Sequence, residues 1–368
     1  MMTRRERFQA IMERKPVDRV LYDLAGTGQT QVDAPELTEA IKALLDIHGP
    51  YTGSYEKYDE RILEALDIDT RRVGELFEPA SPLIREKGGR RYDCWGVGRA
   101  FTGLYWEIVE HPLKGATMED LESYPWPDAS NVDPALFEKY RRQARHLYED
   151  TDYVVVAEHP CYGVMEIGCW MMGFDEYLYK LAAEPELIEY FTQRVLRYQK
   201  DIIARYYEAV GPYIHLTTSG DDFGTQESSF ISRRMFDEMI APAMAERIRY
   251  TREFTDGYFF HHTCGSVFNL IPSLIEIGVD ILNPIQPLAR NMEAARLKES
   301  YGNQLTFWGG IDTQELLVKG TPQAVSAQVR RTIDDMKGTG YVLAPAHTLQ
   351  KDVPAANVIA IYRPELLP

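Results

Sequence analysis

The sequence predicts an α/β protein built as a (β/α)8 TIM barrel with an N-terminal helical elaboration. Three observations carry that expectation. Short apolar, strand-like runs alternate with longer helical stretches, so neighbouring strands should pair in parallel through crossovers. The runs count to eight. No glycine-rich phosphate loop follows any of them, which leaves a doubly wound open sheet only as the alternative.

The elements follow in order. Thr3 and Glu6 have the spacing of a capping box, so a short helix should open there and end before Pro16. VLYDLAG (20–26) reads as the first strand, stopping at a glycine. Residues 35–75 read as helical from the apolar spacing in LTEAIKALLDIHG and ERILEALDI. The stretches PASPLIREKGGRRYDCWG (79–96) and GLYWEIVEHP read as short strands and turns, and one barrel strand is expected near 77–110. YPWPDASNVDP (124–134) is rich in Pro, Asp and Asn and should be a connector. Further strands are expected at 153–160, 213–222, 258–265, 280–287, 305–312 and 341–347. Helical runs such as PELIEYFTQRVLRYQKDIIARYYEAV and PQAVSAQVRRTIDDMK separate most of them. The chain is expected to form one domain over 1–368, with 1–75 holding the helical part and the first strand.

Composition excludes some functions. With 368 residues and 45% hydrophobic side chains, a large core can be buried. The net charge of -16 disfavours nucleic acid and anionic membranes as partners, because both repel an acidic surface. Cys94, Cys161, Cys169 and Cys264 lack the rhythm of a disulfide scaffold, so reduced thiols in a cytoplasmic protein are expected. The N-terminal stretch has no apolar signal-peptide core, and no later segment offers about 18 uninterrupted apolar residues.

The strand ends carry the chemical signal. Each run starts apolar and finishes polar: Glu158-His159, Asp221-Asp222, His262 and Cys264, Asn283 and Gln286, Asp312, and His347. In a barrel these ends converge on the carboxyl rim, where catalytic groups sit. His262-Thr263-Cys264 is a His-x-Cys pair, and residues i and i+2 of a strand point to one side. An imidazole and a thiolate so placed make half of a zinc site; a catalytic zinc commonly takes three protein ligands and keeps one position open. The third ligand should come from another strand end, with His347 the first candidate. Gln350, Glu158, Asp221 and Asp222 are candidates for a further ligand or for carboxylates that orient the histidines. His261 should point into the wall. His159 could serve either role, and core packing is expected for Cys161 and Cys169.

GDDFGTQ (220–226), HHTCGSV (261–267), GVDILNPIQP (278–287), FWGGIDTQ (307–314) and LAPAHTLQKDVPAANV (343–358) resemble the uroporphyrinogen decarboxylase superfamily, above all its corrinoid-dependent methyltransferase-like branch. The resemblance implies a (β/α)8 barrel. Uroporphyrinogen decarboxylases carry a first-strand motif of the type RQAGR, whose arginines bind substrate carboxylates. Here the stretch reads LYDLAGTG (21–28), and both arginines are gone, so an octacarboxylate is a poor substrate. The thiol methyltransferases of the superfamily pair His-x-Cys with a later cysteine after Pro-Gly; here that context is Pro345-Ala346-His347, which implies a His262, Cys264, His347 zinc site.

One thiolate and two imidazoles leave Zn2+ at +1, whereas two thiolates and one imidazole leave it neutral. The more positive ion is the stronger Lewis acid and suits activation of a methyl donor. The resemblance thus implies transfer of a methyl group from a small methylated substrate to a corrinoid (cobalamin) on a corrinoid-binding partner protein. Asp221, Asp222 and Glu158 are the catalytic candidates; Asn283, Gln286 and Asp312 are the cofactor-binding candidates. Methylation of a thiol from methylcobamide, a lyase acting on a smaller acid, and a barrel that binds a ligand without turnover are the alternatives. A homodimer is among the expected assemblies.

Overall fold

A computed structural model describes residues 2–103 and 106–367. Leu104 and Tyr105, part of the stretch expected as strands and turns, lie outside the described residues. Eight parallel strands form the barrel: β1 Leu21–Tyr22, β2 Thr70–Val73, β3 Val154–Ala157, β4 Leu216–Thr217, β5 Tyr258–His262, β6 Ile281–Ile285, β7 Thr306–Ile311 and β8 Tyr341–Pro345. They pair in chain order from β2 to β8, and β8 pairs back onto β1. The β1–β2 seam is held by Asp69. Its N–H donates to the Tyr22 carbonyl (3.0 Å) and its carboxylate accepts the Tyr22 N–H (2.7 Å).

Inward-facing side chains fill the barrel as layers, as this architecture requires. Val154, Val156, Phe260, Ile281, Trp308 and Val342 form a cluster of their own inside it. Phe8 and Ile11 of the helix Arg4–Met12 join that cluster and close the amino-terminal end. The capping box expected at Thr3 and Glu6 is formed, which fixes where this helix begins. The larger apolar cluster lies between strands and outer helices, including Pro185–Val210 and Pro322–Asp335.

The second strand departs from expectation. Residues 35–75 supply two helices, Pro35–Leu44 and Glu60–Ala65, but the segment ends in β2 rather than in more helix. The region expected to give a barrel strand near 77–110 instead builds a separate antiparallel sheet of Arg85–Lys87, Arg90–Tyr92, Gly98–Phe101 and Trp106–Glu110. Its first hairpin turns on Gly88 and Gly89, both at positive φ (59° and 74°), a pairing that glycine adopts without steric cost. The physical reason for the misplacement is Arg71 and Arg72. Two consecutive arginines hide a four-residue strand, yet both are buried.

Candidate metal centre at the barrel mouth

His262 ends β5, and Asn283 of β6 is its partner in register. The Asn283 Nδ2 donates to the Trp308 carbonyl (3.1 Å), which turns its Oδ1 toward His262 Nδ1 at 2.6 Å. The oxygen can only accept, so Nδ1 carries the proton and Nε2 is left with its lone pair. Carboxamides and carboxylates orient metal-ligating histidines in this way. Cys264 lies two residues beyond, with Sγ 3.3 Å from His262 Nε2. His347 follows β8 and faces the same point. The His262 and His347 rings are 5.6 Å apart at 68°, and one donor atom from each of the three residues lies within 4.8 Å of the others.

The protonation chemistry fits a bound cation. Burial lowers the affinity of both imidazoles for a proton, that of His347 to about 4, so both are neutral near pH 7. Burial and the adjacent Asp222 push the Cys264 thiol up. The thiol therefore keeps its proton until a cation replaces it. Two neutral imidazoles and one thiol converging from the ends of two strands, β5 and β8, are a nitrogen and sulfur donor set suited to zinc.

The other rim candidates divide. Asp222 accepts the Cys264 N–H (2.8 Å) and lies 3.7 Å from His262 Nε2, with its side chain 42% exposed. Gln286 Oε1 accepts the Gly265 N–H (2.7 Å) and so fixes the loop that carries Cys264. Asp221 points elsewhere: its oxygens accept the N–H groups of Met165 (3.0 Å) and Glu166 (2.7 Å), capping the helix Val164–Met172. A side chain at Gly163 would put its Cβ 2.2 Å from the Asp221 Cγ, so the helix start can approach only as glycine. Asp312 accepts the N–H groups of Gln314, Glu315 and Leu316 and holds the turn after β7. Gln350 Nε2 donates to Asp33 (3.0 Å) and to the Thr348 hydroxyl (3.3 Å).

Glu158 stands across the barrel, buried with Arg72 (2.8 Å), Thr218 (3.1 Å) and His159. Burial alone would raise its carboxyl, but His159 and Arg72 hold it well below the ordinary range. His261 faces the wall, as expected, with Nδ1 2.8 Å from Ser219 Oγ and its ring stacked on Phe223. Cys161 and Cys169 are buried in the core.

Two residues near the site escape a reading of strand ends. Arg72 enters the interior from β2 and also donates to Gln31 (2.9 Å). Glu166 sits in the first turn of the helix after β3. Burial, with Asp222 and Asp221 nearby, raises its carboxyl well above the ordinary range. No motif marks it; the one sequence signal is an acidic residue inside the apolar run VMEIGCWMM.

The (β/α)8 barrel brings three residues that could hold a metal ion together at the carboxyl ends of β5 and β8, the rim where barrel enzymes carry their functional groups. The uroporphyrinogen decarboxylase (URO-D) family matches residues 108–363, more than half of the chain, and the chain belongs to that family. No curated protein sequence matches it. Among solved structures, a methyltransferase from Methanosarcina mazei is similar over 98% of this chain and 97% of that one, with a TM-score of 0.67 and 15% identity; this likeness shows the fold. A β-glucosidase mutant derived from a hyperthermophilic tetrameric structure reaches a TM-score of 0.46 at 10% identity, over 95% of this chain and 97% of that one. Among the described residues no helix is long and apolar enough to cross a membrane.

Proposed function

We propose that the protein is a zinc-dependent methyltransferase that takes a methyl group from a small methylated donor and passes it to cobalamin on a corrinoid-binding protein docked over the barrel mouth. The observation that carries the reading is the convergence of His262, Cys264 and His347 within 4.8 Å. Membership of the uroporphyrinogen decarboxylase family and the likeness to a methyltransferase barrel support it.

His262, Cys264 and His347 would hold the zinc, which supplies Lewis acidity toward the donor's heteroatom, while the corrinoid supplies the nucleophile that an unactivated methyl group requires. Asn283 keeps His262 in the tautomer whose Nε2 faces the centre. Asp222 and Gln286 hold the Cys264 loop by accepting its N–H groups. Loss of a methyl cation leaves the heteroatom with an extra electron pair and in need of a proton. Glu166, whose carboxyl burial and the nearby Asp222 and Asp221 raise well above the ordinary range, serves as that proton's source, taking another from solvent afterwards. Two imidazoles and one thiolate also leave the centre at +1, which favours demethylation of the donor over production of a zinc-bound thiolate nucleophile.

The test is metal analysis of the purified protein together with a panel of methyl ethers, methylamines and methyl thioethers incubated with free cob(I)alamin. Conversion to methylcobalamin is followed by absorbance. The expected result is stoichiometric zinc and methyl transfer from at least one donor. Transfer from methylcobalamin to a thiol far faster than any demethylation would overturn the direction; absence of zinc would overturn the centre.

A further inference from the structure

Beneath the antiparallel sheet of residues 85–110, between it and the turn after β3, lies a cavity of about 390 Å3. That is within the range of small-molecule sites. His262, Cys264 and His347 are not among its walls, so the cavity is distinct from the metal centre. Trp95, Trp106, Tyr162, Trp170 and Tyr198 supply its aromatic lining. The rings stand edge-to-face, Tyr162 to Trp170 at 4.4 Å and Trp95 to Tyr198 at 5.1 Å. In such pairs one ring turns its electron-rich face aside, free to meet a third group.

Three charged side chains join the rings: Glu78, Asp93 and Arg99. Asp93 and Arg99 neutralise each other, and the guanidinium lies 4.9 Å over the Trp170 ring. Asp93 also accepts the N–H groups of Trp95 (2.9 Å) and Val97 (3.0 Å). Arg91, 4.3 Å over Trp106, is not among the walls and has its own carboxylate in Glu86 (3.0 Å). Glu78 differs from all of these. Its Oε1 accepts the Cys94 N–H (3.1 Å), and no cation pairs with it among the described residues. Two carboxylates against one guanidinium leave the walls with a net negative charge. Burial raises the Tyr198 hydroxyl, and charges that include Glu78 add to it, so this carboxylate acts on the aromatic space.

An uncompensated carboxylate beside aromatic faces attracts an organic cation. The remaining polar groups decide which kind. A primary ammonium brings three N–H donors, and burying them without acceptors is costly. The carbonyls around the cavity are already engaged. Phe77 accepts from the Tyr198 hydroxyl (3.3 Å), Trp95 from the Tyr124 hydroxyl (2.6 Å) and Trp170 from His111 Nδ1 (2.8 Å). Cys161 accepts from Arg247 (3.1 Å) and Tyr162 from Gln199 (2.7 Å). A quaternary ammonium has no N–H to satisfy, and its methyl groups pack against rings.

We infer that this cavity binds a small quaternary ammonium compound, its methylated nitrogen against the tryptophan and tyrosine rings and its charge balanced by Glu78. The inference concerns binding alone and stands whether or not the metal centre transfers a methyl group.

Calorimetric titration of the zinc-replete protein decides it, with choline, its uncharged carbon isostere 3,3-dimethylbutanol, and ethanolamine as ligands. Choline should bind about tenfold tighter than either of the others, or better. Glu78→Gln changes an exposed side chain and keeps an oxygen for the Cys94 N–H, so it should remove that advantage without disturbing the fold. Stripping zinc with a chelator should leave choline binding unchanged. Equal affinity for choline and its isostere overturns the inference, because the charge is then not recognised. So does ethanolamine binding as tightly as choline, or choline giving no heat at all. Choline binding that survives Glu78→Gln unchanged, or that vanishes with the zinc, places the ligand elsewhere and overturns it as well. The ligand comparison uses the wild-type protein, so it holds even if Glu78→Gln folds poorly. Failure of methyl transfer to cob(I)alamin sinks the function proposed for the metal centre and leaves this cavity untouched.

Discussion

On the β1–β3 wall of the barrel, the two buried carboxylates are saturated. Asp23 accepts from Thr70, Thr30 (2.8 Å), Trp308 Nε1 (2.8 Å) and the Gly26 N–H (3.0 Å), and Glu158 accepts from Arg72, Thr218 and the His159 N–H. On the β5–β8 wall, His262 spends one nitrogen on Asn283 and turns the other toward Cys264 and His347. The first wall resembles a fastening, since every charge there has its counter-charge or donors. The second keeps electron pairs in reserve. Glu158 and His262 are buried alike, at 5% and 6% exposure, so burial of polar groups does not by itself distinguish a site from a scaffold; ligand atoms converging on one point do.

That contrast can be broken by exchanging the effects of mutations on the two walls. The largest effect is expected for Cys264→Ala, which should abolish stoichiometric zinc while the melting temperature in chelator stays near wild type. Zinc content unchanged in that variant would remove the contrast altogether. Next comes Arg72→Met on the saturated wall. It leaves the Glu158 carboxylate buried without its guanidinium, which costs about 3–5 kcal/mol. Denaturant unfolding should show that loss, with zinc retained. A metal loss as large as in Cys264→Ala would mean that the two walls act as one site.

How far the sequence shows this follows from the same residues. Seven of the eight strands are visible because parallel strands covered on both faces read as apolar runs, as in YVVVA and LTFWG. β2 is not, because Arg71 faces outward to Glu60 and the Tyr153 ring while Arg72 faces inward to Glu158. Only tertiary partners make a buried TRRV intelligible. His262 and Cys264 are legible from spacing and His347 from its place after the last strand. The jobs of Asp221 and Asp312 are not, because a rim carboxylate that caps backbone N–H groups and one that serves chemistry look alike in a string of letters. Glu166 is hidden because it sits on a helix, one turn before Trp170, and not at a strand end.

Asp221 sharpens the comparison through pH. Burial raises its carboxyl from 3.8 to about 7, against the two N–H groups of Met165 and Glu166, which favour the anion. The fold therefore prefers the protonated form. Its contribution to stability is fully present below about 3.8, declines as pH rises, and is gone above about 7. At about 1.4 kcal/mol per pH unit this amounts to a few kcal/mol. Asp221→Asn should flatten that slope, so wild type should lose stability relative to the variant between pH 4 and 7. The opposite trend, with wild type gaining, would show that the two N–H groups outweigh burial and that the carboxylate is an ordinary anionic cap.

The smallest effect is expected at Asp222, the acidic group between the two walls' chemistries. Its carboxylate is 3.7 Å from His262 Nε2, yet its side chain is 42% exposed. Water screens such a charge, so its attraction for a cation at the centre is worth less than about 1 kcal/mol at physiological salt. Asp222→Asn keeps an oxygen able to accept the Cys264 N–H and removes only the charge. Zinc affinity should then fall by less than tenfold, and the melting temperature should stay within a degree or two of wild type. Because the effect is electrostatic and exposed, it should shrink as salt rises: wild-type affinity declines with ionic strength toward that of the variant. A large, salt-independent loss of zinc would instead place Asp222 among the ligands and make the centre four-coordinate through this chain alone.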